Sequence, residues 1–186
     1  MINNVLYETE RLIIRPYRED DLPGCFLWTQ NEEIYEYLKM KMMTFEEYKA
    51  WLGEVIKGYD EGFGGAFRYV FAVCLKESGE HIGWVHLSCI GYDPSIKEIG
   101  WVIAKDHWRK GYATEGAKAM LDMAFAIVGL DEVIAICKPG NQGSINIIER
   151  LGMKYQGLTD GVPEEYPYYI GLLKYKMTKK EYNELY

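Results

Sequence analysis

The sequence predicts one α+β domain of three layers, with a mixed, mostly antiparallel sheet and helices on both faces. Three patterns favour this class. Residues 68–76 and 81–88 are apolar strand-like runs joined by a short turn, which is typical of a β-hairpin. Apolar residues recur every three or four positions after Thr44 and after Thr114, which indicates amphipathic helices. Because no repeat or linker interrupts the chain, residues 1–186 are expected to form a single domain.

The first half of the chain predicts a strand, helices and the hairpin in that order. Residues 12–16 form the first strand, and Asp20 or Asp21 can cap a helix through residues 25–28. A further short helical segment is expected near residues 32–38. The Thr44-x-x-Glu47 capping box opens the next helix. Its buried stripe is predicted to contain Phe45, Tyr48, Leu52, Val55 and Tyr59, and the glycines of residues 58–65 end it.

The second half alternates strands and helices. A strand at 97–104 leads through a basic loop into a helix from Thr114, which Gly129 ends. The remaining elements are expected to be a strand at 132–137, a helix at 144–151, strands at 153–158 and 168–175, and a terminal helix opened by the capping box Thr178-x-x-Glu181.

Composition excludes several classes of protein. The formal net charge of −7 argues against a nucleic-acid-binding protein, which needs a basic surface. No apolar run approaches the ~20 residues of a membrane span, and residues 1–7 lack the features of a secretion signal. A cytoplasmic location is therefore expected. The four cysteines and three histidines show no metal-ligand spacing, so no metal site is expected and the cysteines are predicted to be reduced.

The stretch at 108–116 (WRKGYATEG) predicts a phosphate site, because it joins a strand to a helix N-terminus through a glycine-containing basic loop. A nucleotide-triphosphate loop would need G-x-x-x-x-G-K-[ST], which the chain lacks. The Gly111-x-Ala113-x-x-Gly116 spacing superficially fits a dinucleotide-binding fold. The polar insert at 105–110 and the preceding hairpin argue against that fold, which needs a βαβ unit.

Four motifs in order resemble the GNAT superfamily of acyl-CoA-dependent N-acetyltransferases, within its RimJ/RimL-like branch. They are residues 9–16 (TERLIIRP), 98–103 (EIGWVI), 110–115 (KGYATE) and the pair Asn141-x-x-Ser144 followed by 149–153 (ERLGM). The resemblance covers nearly the whole chain and implies the GNAT acyl-CoA N-acyltransferase fold. Two departures matter. Trp108 fills the first position of the loop, where the superfamily usually has Gln or Arg, and Arg109 stands where the branch often has glycine.

The resemblance implies acetyl-CoA as cosubstrate, with no metal. The pyrophosphate would lie on the backbone N–H groups of the loop, and the pantetheine arm between strands 98–104 and 132–137. The residues implied to bind coenzyme A are Val102, Ile103, Trp108, Arg109, Lys110, Gly111, Tyr112, Ala113, Thr114, Asn141 and Ser144. Asn141 fits the role of a helix cap equally well.

The resemblance also implies direct acetyl transfer to an amine. Glu98 is the candidate base, against the alternative of a solvated residue at a strand start, and Ser144 is the candidate acid for the departing thiolate. The backbone N–H near Val102 or Ile103 would stabilise the oxyanion. Trp28, Trp84 and His86 are candidate acceptor contacts, although such aromatic residues are more often plain core.

The acceptor is left open between a protein N-terminus and a small amine. A non-catalytic acyl-CoA-binding sensor with the same fold is the alternative function. Neither nucleic acid nor membrane is an expected partner, and exposed aromatic residues in the C-terminal strands make a homodimer a further hypothesis.

Overall fold

The computed structural model describes residues 7–60 and 67–186, which form one eight-stranded mixed sheet with five α-helices. The strands are β1 (Tyr7–Glu8), β2 (Leu12–Pro16), β3 (Arg68–Leu75), β4 (His81–Ile90), β5 (Asp93–Ile103), β6 (Glu132–Cys137), β7 (Lys154–Leu158) and β8 (Leu173–Thr178). The helices are α1 (Leu22–Trp28), α2 (Phe45–Gly58), α3 (Tyr112–Asp122, continued as a π-helix over Met123–Val128), α4 (Gln142–Arg150) and α5 (Lys179–Leu185).

The strand order is β1-β2-β3-β4-β5-β6-β8-β7. Strands β1 to β5 pair antiparallel in sequence, and β6, β8 and β7 form a second antiparallel group. The two groups meet at β5 and β6, which run parallel because α3 crosses between them. The predicted mixed, mostly antiparallel sheet is confirmed.

Helices cover both faces of the sheet, as predicted. On one face, Gly116 of α3 lies so close to the sheet that a Cβ would stand 3.0 Å from Val85 Cγ1. On the opposite face, Arg15 of β2 binds Asp21 at the entrance to α1 with N–O distances of 2.6 and 2.7 Å. Asp21 therefore holds the chain onto the sheet, and its side chain does not cap α1 as the sequence had suggested.

The α2 helix confirms the predicted capping box and most of the predicted buried stripe. Its capping box forms, with Thr44 Oγ1 accepting from the Glu47 N–H at 3.3 Å and the Glu47 carboxylate accepting from the Thr44 N–H at 2.8 Å. The predicted stripe is buried at Tyr48, Leu52, Val55 and Tyr59. Phe45 was assigned wrongly to that stripe. It is 42% exposed, and its ring packs edge-on against Phe26 of α1, with the ring centroids 5.2 Å apart.

Two predicted strand boundaries were wrong. Residues 167–169 form a 3-10 turn in place of a strand, because Pro167 at the start of the segment lacks a backbone N–H to donate to a strand ladder. The last strand is Leu173–Thr178. The β5 strand begins at Asp93, so Glu98 lies in its middle and not at its start. Much of the predicted loop at 58–65 lies outside the described residues.

No helix within residues 7–60 and 67–186 is long and apolar enough to cross a membrane. In the same ranges the four cysteines carry free thiols. The side chains described there also include no group of three or more His, Cys, Asp or Glu arranged to hold a metal ion.

Candidate active site

The loop between β5 and α3 presents a row of backbone donors. It makes a 3-10 turn at Lys105–His107, passes through Arg109 at φ 62° and Gly111 at φ 87°, and enters α3 at Tyr112. Among the described residues, none of the N–H groups from Arg109 to Thr114 has a hydrogen-bond acceptor. These donors open the helix and are joined by the positive end of its dipole, which makes the loop an anion site.

The N-terminal segment holds this loop in place. The Arg11 side chain donates to the Lys110 carbonyl and to Glu115 Oε2, both at 2.8 Å, and its guanidinium lies 4.7 Å from the centroid of the Tyr112 ring. Thr9 Oγ1 and the Arg11 backbone N–H both donate to Glu115 Oε1. Burial opposes ionisation of Glu115, but these hydrogen bonds outweigh it and lower the pKa of the carboxyl group.

A fork between β5 and β6 lies beside the loop. The two strands pair only at Glu98 and Ile134, after which β5 continues to Ile103 and β6 to Cys137 without further pairing. Because both strands are parallel, their separated C-terminal ends open at the edge of the sheet where the anion loop begins. A slot with unpaired backbone groups on both sides can accept an extended chain as an added strand.

The register decides which residues face the slot. The Ala104 N–H donates to the Ile82 carbonyl of β4 at 2.7 Å. Since successive residues direct their backbone groups to opposite sides of a strand, Val102 also faces β4, while Trp101 and Ile103 face the slot. The backbone groups of Val102, one of the two residues expected to contact the cofactor here, are therefore directed away from the slot. The Ile103 carbonyl accepts from Trp108 Nε1 at 2.6 Å, which leaves the Ile103 N–H for a ligand.

Asn141 and Ser144 begin α4 on the far side of the slot, just after β6. Asn141 is the N-cap, and its Oδ1 accepts from the Ser144 N–H at 3.1 Å. The cap uses only the oxygen of the Asn141 side-chain amide. Neither Asn141 Nδ2 nor Ser144 Oγ has a hydrogen-bond partner among the described residues, and both side chains are half-buried.

Glu98 lies at the base of the fork and is only 9% exposed. Burial raises the pKa of its carboxyl group to about 7, against the opposing effects of Arg68, Lys39 and a hydrogen bond from Ser88. A carboxyl group with that pKa exists in both protonation states near neutral pH, which suits it to accept and release a proton.

Glu98 shares one face of the sheet with Trp84, His86 and Val102. The pairings Ser88–Glu98, His86–Gly100 and Trp84–Val102 place these side chains in adjacent rows. A Cβ on Gly100 would overlap His86 Nε2, so the absent side chain leaves room for the imidazole. His86 Nδ1 lies 2.9 Å from Ser88 Oγ, and burial lowers the pKa of His86 to about 3. The imidazole ring is therefore neutral. The sheet face that carries Trp84, His86 and Glu98 is called the acceptor face below.

Trp28 is placed apart from these residues. Its Nε1 donates to His81 Nδ1 at 2.9 Å, and the two rings stack at 14°. It also lines a cavity of about 460 Å³ bounded by the end of α1 and residues 104–106. That cavity opens near the anion loop and does not include Glu98. Trp28 therefore lines the cavity beside residues 104–106 and is not among the side chains next to Glu98 on the sheet.

Contacts with three distant parts of the chain hold the segment from Glu32 to Lys39 in place. Lys105 pairs with Glu33, Lys138 Nζ donates to the Glu36 carbonyl at 3.4 Å, and the Tyr168 hydroxyl donates to the Tyr37 carbonyl at 3.4 Å. Tyr168 and Tyr169 were hidden in a segment that looked like a strand. The only available signal was Pro167, which breaks the strand pattern.

Comparisons with known proteins agree with this geometry. The sequence profile of the acetyltransferase (GNAT) domain matches residues 11–154. Two relatives are the uncharacterized protein YkkB of Bacillus subtilis (41% identical over 79% of this chain and 84% of the relative) and the spermidine N(1)-acetyltransferase of Escherichia coli K12 (28% over 77% and 73%).

Solved structures share the fold. A GNAT-family acetyltransferase from Bacillus anthracis superposes with a TM-score of 0.78, at 23% identity, covering 95% of this chain and all of the other. The ribosomal L7/L12 α-N-protein acetyltransferase RimL, solved with coenzyme A, superposes with a TM-score of 0.77 at 13% identity, covering 95% and 99%. GNAT acetyltransferases use acetyl-CoA. The anion loop, the forked strands and the matched profile together identify this chain as a member of the GNAT family with RimJ/RimL-like structural neighbours, an acetyl-CoA-dependent N-acetyltransferase.

Proposed function

We propose that this enzyme transfers the acetyl group of acetyl-CoA to a primary amine by direct attack, with Glu98 as the base. The observation that carries the proposal is the fork of β5 and β6. Its base is the buried carboxyl group of Glu98, and its open end is the anion loop. A thioester held in the slot would therefore lie between a phosphate site and a proton acceptor.

Three features of the chain fit coenzyme A. The unpaired N–H groups from Arg109 to Thr114 would bind the pyrophosphate, with Arg109 and Lys110 adding positive charge. The backbone of Trp101 would bind the pantetheine arm, and Asn141 Nδ2 would donate to it from the other side. Asn141 would in this way act both as helix cap and as ligand contact.

Acetyl-CoA supplies an activated thioester carbonyl, and the protein supplies proton transfer and charge stabilisation. Glu98 would take a proton from the acceptor ammonium, which frees the nitrogen lone pair for attack on the carbonyl carbon. The Ile103 N–H, which faces the slot, would donate to the carbonyl oxygen as its negative charge develops. After attack the acceptor nitrogen still carries one extra proton. As the carbon–sulfur bond breaks, Ser144 Oγ would give its proton to the sulfur and regain one from that nitrogen, which leaves a neutral amide and the free thiol.

The acceptor would approach from the face that carries Trp84 and His86, beneath the segment at 32–39. Both the protein N-terminus and the small amine predicted from sequence are primary amines, and the named relatives include an enzyme of each kind. Trp84 and His86 would contact the acceptor. Trp28, held by His81, would support the wall near the loop.

The test is release of coenzyme A thiol from acetyl-CoA with a panel of primary amines and N-terminal peptides. The wild-type protein should release thiol with at least one acceptor. Ser144→Ala should slow release, while the exposed control Glu10→Gln should not. Tight binding of coenzyme A with no thiol release across the panel would contradict the proposal and favour the acyl-CoA sensor.

A further inference from the structure

We infer that the acceptor amine carries a carboxylate, which Arg68, Lys39 and Lys138 bind beside Glu98. The inference rests on the proposed function and narrows its substrate class. An α-amino acid and a peptide with an acidic residue next to its N-terminus share this chemistry.

Arg68 lies in the same row of the sheet as the proposed base. The register places Arg68 opposite Ser88 and Ser88 opposite Glu98, on three adjacent strands. Neighbouring strands are about 4.8 Å apart, so the Arg68 Cα lies about 10 Å across the sheet from that of Glu98. The Arg68 side chain is exposed on the acceptor face and is long enough to reach a ligand above Ser88.

Two lysines approach the same place from other elements. Lys39 Nζ lies 4.8 Å from the Tyr169 ring centroid and 5.9 Å from that of Tyr168. Lys138 Nζ lies 5.8 Å from the Tyr168 centroid. The two ammonium groups therefore both lie near the Tyr168 ring, whose hydroxyl donates to the Tyr37 carbonyl. The charges of Lys39 and Arg68 both act on Glu98, and that of Glu98 acts on both tyrosines.

None of these three cations forms a salt bridge with a carboxylate of residues 7–60 and 67–186. By contrast, Lys105 of the adjoining loop is paired with Glu33, and Lys174 lies 3.8 Å from Asp160. Three cations without a salt bridge near one site attract an anion and repel a further cation. A carboxylate near the reacting amine would satisfy them, whereas the further ammonium groups of a polyamine would be repelled.

Matched acceptors test the inference through kcat/KM, measured by thiol release. Alanine is compared with alaninamide, and a C-terminally amidated peptide beginning Ala-Glu with its Ala-Gln counterpart. At least one carboxylate member should exceed its partner by about tenfold or more, the effect of a charge-assisted hydrogen bond. A preference for alanine over alaninamide would identify a free amino acid as the acceptor, and a preference for the Ala-Glu peptide would identify a peptide with an acidic residue next to its N-terminus.

Substitutions of the cationic residues test which of them causes the preference for a carboxylate. Lys39→Gln and Arg68→Gln, both exposed and so expected to fold, should each reduce the preference by at least about threefold. The exposed neighbour Lys41→Gln should keep it. Thiol release without a carboxylate preference, or with a diamine as the better acceptor, would overturn this inference alone. Absence of thiol release with every amine would overturn the proposed function instead.

Discussion

Arg109 is the only described residue other than glycine with a positive φ, at 62°. A side chain in this left-handed region costs roughly 1–2 kcal/mol, and glycine avoids that cost. Elsewhere, glycine destabilises a structure by about 0.5–1 kcal/mol relative to alanine through its unfolded-state entropy. At position 109 the order should therefore reverse, with Arg109→Gly more stable than Arg109→Ala by about 1 kcal/mol.

Thermal unfolding measures this difference. For a chain of this length about 1 kcal/mol corresponds to roughly 2–4 °C in Tm. Lys110 is the matched control, because it is the next residue in the loop, is equally exposed and does not have positive φ. There Lys110→Ala should be at least as stable as Lys110→Gly. If Arg109→Ala matched or exceeded Arg109→Gly in Tm, the left-handed turn of the loop would be refuted.

Coenzyme A affinity gives the second measurement on the same variants. If the backbone N–H groups supply most of the binding, removing the exposed Arg109 charge should weaken binding by no more than about fivefold, as expected for a solvent-exposed ion pair. The loss should shrink further at high salt. A loss of a hundredfold or more in Arg109→Gly would mean that the side chain, and not the backbone, is the main phosphate ligand.

Two further substitutions separate structural from ligand-binding roles. Asn141→Asp keeps the cap oxygen that accepts from the Ser144 N–H but removes the side-chain donor. The Tm should therefore change little, while the KM for acetyl-CoA should rise about tenfold. An unchanged KM would mean that Asn141 is only a helix cap. Gly100→Ala places a methyl group against the His86 ring, which should lower the free energy of unfolding by about 1–3 kcal/mol. The control Gly53→Ala, which has open space around it, should be neutral or stabilising. Equal Tm values for the two variants would contradict the placement of His86.

Much of the fold could be predicted because local signals agree with it. The capping boxes at Thr44 and Thr178 both form, and Gly129 ends the π-helical extension of α3 in a left-handed conformation. Such positions depend on neighbours within a few residues, which a sequence displays directly. Phe45 shows the limit, since periodicity gives the face of a helix but not which residues along that face are covered by the rest of the protein.

The parts of the site that sequence could not predict depend on contacts between distant segments. Arg11 supports the loop across about 100 residues of chain, and Tyr168 touches the segment at Tyr37 across 131. The backbone orientation of Ile103 and Val102 required the register between β4 and β5. Arg109 adopts a left-handed conformation that glycine adopts without strain, so the glycine common at this position in the resembling branch was the one sequence signal of the turn.

The pH dependence of kcat/KM in wild type and Glu98→Gln tests the central claim most directly. Glu98 must be ionised to accept a proton, and its pKa of about 7 lies above the usual value, so activity is lost as pH falls through 7. The ionised fraction should rise about tenfold between pH 6 and pH 8 and level off above. Below pH 7 the carboxyl group is increasingly protonated, which favours the folded state, so inactivation there should precede unfolding.

In Glu98→Gln the rate should fall by about a hundredfold or more at pH 8, and the break near pH 7 should disappear. The Tm of the variant at pH 8 should equal or exceed that of wild type, because a buried charge has been removed. A Glu98→Gln enzyme that retains wild-type kcat/KM, or that keeps the same break near pH 7, would contradict the assignment of Glu98 as the base.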